Sequence, residues 1–191
     1  MNNEITRWLQ RDPDSKSRQE LQQLVADNAT VELADRFNGR LEFGTAGLRG
    51  VVGAGPNRMN RLVIQETATG LGQYLLRTDS TAAHKGVVIG YDGRPDSRQF
   101  AHDTAAALAA QGIKVYLTTK VAATPIVAFG VKHLHTAAAV VVTASHNPPA
   151  YNGFKVYWNN GAQIIPPHDA GIAAEIDKAT QSELQDRKSV V

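Results

Sequence analysis

The sequence predicts an α/β protein, namely a three-layer α/β/α sandwich around a mixed, mainly parallel sheet, with a helical extension at its N-terminus. Two apolar segments rich in valine, residues 86–92 and 136–142, are bounded by glycines or polar residues, which is typical of strands buried on both faces. Amphipathic helical patterns alternate with these segments, as in β-α-β units. A chain of 191 residues can bury a core without disulfides or metals.

The composition excludes several classes of protein. The chain has 20 basic and 18 acidic residues, which is too balanced for the clustered basic face of a nucleic-acid-binding protein. It contains no cysteine, so disulfides, cysteine-ligated zinc and thiol chemistry are excluded. No apolar segment approaches the roughly 20 residues that cross a bilayer, and no signal-peptide core follows Met1. We therefore expect a cytoplasmic protein without nucleic-acid or membrane partners.

Residues 1–39 are predicted to form the helical extension. Apolar residues recur at helical spacing from residue 4 to residue 37, Val25 and Val31 among them, while Asp12-Pro13 separates the first two helices. We expect this extension to pack as a cap on a domain, and an arm that binds a partner is the alternative. Residues 40–180 are then the main domain, and residues 181–191 are expected to be a linker to further domains.

A glycine-rich segment, residues 41–50, follows the extension. Its glycines expose backbone N–H groups, and Arg49 adds a charged fork that suits phosphate. The segment lacks the Gly-Lys-Ser/Thr ending of a P-loop and the strand–turn–helix context of a dinucleotide-binding fingerprint. It is interpreted either as an anion-binding loop or as a structural turn.

The first β-α-β unit begins after a long helix over residues 60–78 and a polar loop over residues 79–85. It consists of a strand at 86–92, a helix at 97–111 and a strand at 113–118, with Asp96 and Gln99 as the predicted capping box. Asp92 and Arg94 follow the first strand. They either cap the helix and fix the loop, or they contact a ligand.

The second unit runs from a helix that begins at Thr124-Pro125 to the apolar strand at 136–142. His133 and His135 are two positions apart on this helix, so they point apart and are interpreted as structural. Asn152-Gly153 predicts a tight turn, and the alternation that follows predicts a half-covered, antiparallel edge strand up to residue 158. A final helix follows Pro166-Pro167.

The segment at residues 143–149, Thr-Ala-Ser-His-Asn-Pro-Pro, comes directly after the second buried strand. In open α/β sheets, ligands bind just beyond the carboxyl ends of the strands. Two prolines prevent Asn147 from starting a helix, so Ser145 and His146 lie in a loop. The Gly-x-Ser-x-Gly elbow of serine hydrolases is absent. A hydroxyl near Arg, Lys and His suits a phosphoserine, and a polar loop in which Ser145 is a local cap is the alternative.

Three segments, in this order, resemble the α-D-phosphohexomutases, the superfamily of phosphoglucomutases and phosphomannomutases. They are residues 43–50, residues 90–94, and residues 143–148 together with the Asn-Gly-Phe-Lys of 152–155. The resemblance extends over residues 40–178. Residues 155–169 are most similar to the phosphoglucomutase/phosphopentomutase branch, and the phosphomannomutase branch is the alternative.

The resemblance implies that Ser145 is phosphorylated in the resting enzyme. It gives its phosphoryl group to a sugar monophosphate, forms a hexose 1,6-bisphosphate, and takes back the other phosphate. His146 and Lys155 match residues that position the sugar and move protons, and Arg49 matches one that stabilises the transferring group. The implied substrate-binding residues are Thr45, Arg49, Ser145, His146, Asn147 and Lys155. A Mg²⁺ is expected to bridge the phosphate on Ser145 and a carboxylate loop from another domain.

The implied function is the first domain of a phosphoglucomutase-type enzyme that interconverts glucose 1-phosphate and glucose 6-phosphate, with glucose 1,6-bisphosphate as activator. The motifs of the family's other domains do not occur in residues 1–191. We therefore expect the remaining domains of the parent mutase to be its partners and this chain alone to have little or no activity. A phosphomannomutase or phosphopentomutase domain, a non-catalytic phosphosugar-binding module and a phosphatase are the alternatives.

Overall fold

The computed structural model describes residues 2–45 and 47–181, and the predicted linker at 181–191 lies, except for Gln181, outside them. In the described part of the chain the elements are α1 (Asn2–Arg11), α2 (Ser15–Ala26), α3 (Thr30–Arg36), β1 (Leu48–Val51), α4 (Arg61–Thr78), α5 (Ala82–Lys85), β2 (Val87–Tyr91), α6 (Ser97–Ala109), β3 (Val115–Leu117), α7 (Thr124–His133), β4 (Ala138–Val142), β5 (Tyr151–Trp158) and α8 (His168–Gln181). None of the described helices is long and apolar enough to cross a membrane.

The five strands form one sheet in the order β1-β5-β4-β2-β3. β2 pairs in parallel with both β3 and β4, whereas β5 pairs antiparallel with both β4 and β1. Four of the five strands therefore run in one direction and β5 runs against them. This confirms the predicted mixed, mainly parallel sheet.

Helices cover both faces of the sheet, which confirms the predicted three layers. α4, α6 and α8 pack with the strands around the main core, which contains the fully buried side chains of Leu71 and Phe154. On the opposite face, Val127 and Val131 of α7 pack against Val88 of β2 and its neighbours in β4. The two crossovers, through α6 and through α7, move in opposite directions along the sheet. Because such crossovers are right-handed, their helices lie on opposite faces.

β5 differs from its prediction, because it lies inside the sheet between β1 and β4 rather than at an edge. The predicted turn at Asn152-Gly153 is also wrong, since both residues belong to β5. Gly153 is needed for close packing, because a Cβ there would lie 2.5 Å from the carbonyl oxygen of Thr143, the first residue after β4. The Asn152 side chain is buried and donates to Ser97 Oγ at 3.0 Å.

Two local predictions before α6 need correction. The capping box does not form, because Asp96 has helical backbone angles and its side chain makes no cap hydrogen bond. Gln99 instead donates to Asp103, one turn further along the helix, at 3.2 Å. The polar loop before β2 contains the short helix α5. α7 begins as predicted, with Pro125 in its first turn.

The N-terminal extension packs on the main domain. Ile5, Trp8, Leu21 and Leu33 are buried in the main core, and the Trp8 ring meets the Phe37 ring edge-on. Two residues that the helical pattern assigned to apolar faces are instead exposed, Val25 to 43% and Val31 to 84%. The extension and the domain therefore share one core.

We expect Gly47→Ala to destabilise the fold by about 2–4 kcal/mol, because an alanine side chain would clash at this position and would not tolerate its backbone conformation. Gly47 has a φ of +80°, and a Cβ at this position would lie 2.0 Å from the carbonyl oxygen of Phe154. Gly44→Ala is the matched control, since a Cβ there has no atom within 4 Å, and its effect should stay within about 0.5 kcal/mol. Urea denaturation measures both, and equal free energies of unfolding for the two variants would contradict the prediction.

Candidate active site

The candidate site lies where the order of the strands reverses. β2 and β4 are parallel neighbours, but the chain leaves β2 toward β3 on one side and returns to β4 on the other. The loops that follow these strands begin at Asp92 and Thr143, at the same edge of the sheet. A crevice at such a switch point is the usual ligand-binding position in open α/β sheets.

Ser145 stands exposed in the loop after β4, in a left-handed backbone conformation with a φ of +56°. This conformation costs a non-glycine residue about 1–2 kcal/mol, and hydrogen bonds on both sides of the residue stabilise it. The Ser145 N–H donates to Thr143 Oγ1 at 2.9 Å, and its carbonyl oxygen accepts from Arg94 Nη2 at 3.1 Å. The loop therefore presents a hydroxyl on a fixed backbone.

Arg94 is the main support of this loop. Its Nη1 atom donates to the carbonyl oxygens of Pro148 at 2.8 Å and Tyr151 at 2.9 Å. Its Nη2 atom donates to those of Asn147 at 2.8 Å and Ser145 at 3.1 Å. Nε donates to the Asp92 carboxylate at 3.1 Å. A guanidinium has five N–H donors, and here each of them has an acceptor.

Asp92 joins the loop to the helix layer. Its carboxylate accepts from Ser97 Oγ at 2.6 Å, from Thr143 Oγ1 at 2.7 Å and from Arg94. Burial would raise the pKa of Asp92, but these hydrogen bonds and the Arg94 charge outweigh it and hold the pKa below its ordinary value. Of the two interpretations of Asp92 and Arg94, these contacts support the one in which they fix the loop.

Lys155 lies next to the Ser145 hydroxyl, with Nζ donating to Oγ at 2.6 Å. Burial lowers the pKa of Lys155, and the charge of Arg49 lowers it further. Arg49 in β1 pairs with Gly153 in β5. Because side chains alternate along a strand, Arg49 and Lys155 project from the same face of the sheet. The site thus has two cations and one hydroxyl.

The other predicted site residues take different positions. Thr45 and His146 are exposed, and within residues 2–45 and 47–181 no hydrogen bond joins their side chains to Ser145. The backbone of Asn147 is bonded to Ala144 and Arg94. In the glycine-rich segment, the N–H groups of Gly44 and Gly47 donate to each other's carbonyl oxygens. Those two N–H groups are therefore not available to an anion as they stand.

Three supporting residues were missed by the sequence analysis, namely Ser97, Thr143 and Asn152. Thr143 carries a usable signal, because a hydroxyl two residues before a loop serine can accept from the serine N–H in an ST-turn. The bond between Ser97 and Asn152 joins residues 55 positions apart. No local pattern predicts such a pair.

Arg49→Met is expected to raise the pKa of Lys155, because the substitution removes a neighbouring cation. The pKa of Lys155 is lower in the folded protein than in the unfolded chain. At pH values between these two pKa values, the unfolded chain therefore binds more protons. The charged Lys155 therefore destabilises the fold at lower pH, and this effect is lost as pH rises through the folded pKa. NMR titration of the Lys155 side chain measures the shift. Arg77→Met on α4 should leave the titration unchanged, and an equal effect of both variants would contradict the prediction.

The fold and the site together define the class. A serine hydroxyl that accepts from a lysine, with Arg49 near enough to lower the pKa of that lysine, suits the binding of a phosphoryl group at the switch point of an α/β/α sandwich. A sequence-family model, "Phosphoglucomutase/phosphomannomutase, alpha/beta/alpha domain I", matches residues 40–183. The chain belongs to this family, as its first domain.

Relatives of known name agree with this family. The chain is 48% identical over 174 residues to "Probable phosphoribomutase" of Schizosaccharomyces pombe, covering 91% of this chain and 30% of that protein. It is 44% identical over 184 residues to human phosphopentomutase, covering 93% of this chain and 30% of that protein. It is 39% identical over 183 residues to human glucose 1,6-bisphosphate synthase, covering 93% of this chain and 29% of that protein. A solved phosphoglucomutase/phosphomannomutase family protein of Burkholderia thailandensis superposes with a TM-score of 0.59 at 26% identity, covering 72% of this chain and 30% of that one. The chain thus spans about 30% of the length of these relatives.

Proposed function

We propose that this chain is the phosphoryl-carrying domain of a sugar phosphomutase, in which Ser145 alternately accepts and donates a phosphoryl group. The observation that carries the proposal is the contact between Lys155 Nζ and Ser145 Oγ at 2.6 Å. Arg94 fixes the backbone of the same loop through four carbonyl oxygens. A rigid hydroxyl beside a cation is what reversible transfer to and from serine requires.

In the proposed transfer, the bond between phosphorus and Ser145 Oγ breaks while phosphorus bonds to a hydroxyl oxygen of the sugar. Negative charge develops on Oγ, and the Lys155 ammonium, whose Nζ already donates to that atom, stabilises this charge and gives Oγ a proton as the bond breaks. Arg49 neutralises charge on the transferring group, and His146 accepts the proton of the sugar hydroxyl. Reversal of these steps with the second phosphate of the bisphosphate regenerates the phosphoserine. Such transfer depends mainly on positioning and charge neutralisation.

For the sugar, we favour a pentose phosphate, because relatives at 48% and 44% identity carry the names phosphoribomutase and phosphopentomutase. Interconversion of glucose 1-phosphate and glucose 6-phosphate is the second candidate. The name glucose 1,6-bisphosphate synthase, carried by another relative, favours glucose 1,6-bisphosphate as the activator that phosphorylates Ser145. The substrate then contacts Thr45, Arg49 and Asn147 in addition to the residues that carry out the transfer.

The proposed Mg²⁺ needs ligands from outside the described residues. Within residues 2–45 and 47–181, no group of three or more His, Cys, Asp or Glu side chains could hold a metal ion. Oxygen atoms of a phosphate on Ser145 suit Mg²⁺, which prefers oxygen ligands. When bound there, the ion would neutralise charge on the phosphoryl group, and the remaining ligands would come from the parent mutase's other domains.

The test is phosphoryl uptake by the protein at its native length. The protein is incubated with glucose 1,6-bisphosphate and Mg²⁺, and its intact mass and phosphopeptides are measured. One phosphoryl group on Ser145 supports the proposal, whereas no uptake, or uptake at another residue, contradicts it. Discharge by ribose 5-phosphate, glucose 6-phosphate or mannose 6-phosphate then ranks the sugars. Loss of the phosphoryl group to water without a sugar favours a phosphatase, and binding without uptake favours a binding module.

A further inference from the structure

β1, the strand that carries Arg49, is at the edge of the sheet and pairs with β5 along one side only. A turn over residues 52–59 covers its other side. The Met59 N–H donates to the Val51 carbonyl oxygen at 2.8 Å, and the Gly53 N–H donates to the Met59 carbonyl oxygen at 3.1 Å. The position of the strand therefore depends on what fixes this turn.

The N-terminal extension fixes the turn at Ala54, which is fully buried. The Ala54 N–H donates to Glu20 Oε2 at 3.1 Å, and the Ala54 carbonyl oxygen accepts from Arg36 Nη1 at 3.1 Å. Glu20 and Arg36 are themselves paired at 2.7 Å. One ion pair between α2 and α3 thus satisfies both backbone polar groups of a single turn residue.

The turn also fits closely around Arg36. Gly55 has a φ of +107°, and a Cβ there would lie 2.9 Å from the Arg36 carbonyl oxygen. A Cβ at Gly53 would lie 3.0 Å from Arg36 Nη1. The Asn57 N–H donates to the Arg36 carbonyl oxygen at 3.0 Å. Two glycines therefore permit the direct contact between this turn and the extension.

A second contact fixes the chain just before β1. Glu66 in α4 is fully buried and forms ion pairs with Arg11 of α1, at 2.7 Å, and with Arg40. The next residue, Leu41, donates its N–H to the Pro56 carbonyl oxygen at 3.1 Å. A Cβ at Gly50 would lie 2.8 Å from Leu41 Cδ1, so the leucine side chain lies directly over β1. The edge strand is therefore bounded by contacts that begin in the extension.

We infer that the N-terminal extension is a positioning element for Arg49, with Glu20 and Arg36 as its positioning residues. The functional part of this inference rests on the proposed function, in which Arg49 neutralises the transferring phosphoryl group. Neither positioning residue touches the phosphoryl group, because both act through the turn and the edge strand. If the extension were a cap that only adds stability, its weakening would instead speed amide exchange equally in all strands.

Amide hydrogen exchange tests the positioning without any activity. Glu20→Gln removes the charge that pairs with Arg36 while it keeps the shape of the side chain. We expect the protected amides of β1 to exchange about tenfold faster, as for one lost hydrogen bond to a charged group, while those of β3 stay unchanged. Asp27→Asn is the matched control, because Asp27 at the end of α2 accepts a hydrogen bond from Gln23, which also lies in the extension. This substitution should leave amide exchange in both strands unchanged. An equal increase in all strands, or no increase in β1, would overturn the inference.

A double-mutant cycle tests the consequence for the reaction, with the rate of Ser145 phosphorylation by glucose 1,6-bisphosphate as the readout. We expect Glu20→Gln to lower this rate about tenfold in the wild-type background and to have no further effect in Arg49→Met. Independent, additive losses would refute the connection through Arg49. If the wild-type protein takes up no phosphoryl group, the proposed function fails, whereas the exchange measurement still decides whether the extension positions β1.

Discussion

Ser145→Ala is expected to reduce phosphoryl uptake from glucose 1,6-bisphosphate below detection, because the variant has no nucleophile at the carrier position. Its fold should be intact. The Ser145 side chain is exposed, and its hydroxyl oxygen accepts a hydrogen bond from Lys155. The backbone contacts that fix the loop use the N–H and carbonyl groups of residue 145, which alanine retains.

The measurement is the intact mass of both proteins after incubation with the bisphosphate, together with their urea denaturation curves. Thr180→Ala, which removes a hydroxyl from α8 that bonds to the Asp177 carbonyl oxygen, is the control and should take up the phosphoryl group at the wild-type rate. Uptake by Ser145→Ala at an unchanged rate would show that another residue carries the phosphoryl group. In that case the proposed role of Ser145 would have to be abandoned.

Arg94→Lys is expected to lower the rate of Ser145 phosphorylation by about 100-fold, although the positive charge is kept. The guanidinium bonds to four carbonyl oxygens of the loop and to Asp92, whereas an ammonium has three donors at a single point. Several carbonyl groups then lose their partner and the loop relaxes. A displacement of about 1 Å at a reacting group is enough for a loss of this size.

Phosphorylation rates and amide chemical shifts measure the two parts of this prediction. The shifts of residues 145–151 should change, while those of β3 should not. Arg98→Lys, at an exposed position of α6, is the matched control and should behave as wild type. A wild-type rate in Arg94→Lys would mean that the loop does not need this support.

The site residues could be identified from short segments of the sequence, whereas their arrangement depends on contacts between distant segments. Ser145 and Lys155 could be named in advance because they belong to short contiguous segments that resemble a family. That these two side chains meet at 2.6 Å depends on β5 pairing with β4, where Lys155 lies opposite Val141. That Arg94 fixes a loop was one of the two interpretations of the sequence, but its four carbonyl partners could not be predicted, because they lie 51 to 57 positions further along the chain.

By itself, the sequence determined the elements whose signal is local. β2 and β4 follow from runs of valine and alanine, and α4, α6 and α7 follow from helical periodicity and a proline at a helix start. Only the tertiary structure decided that β1 is a strand, that β5 lies inside the sheet, and that Ala54 is bonded by Glu20 and Arg36. The physical reason is that periodicity reports burial along one element, whereas strand order and buried ion pairs depend on which distant segments pack together.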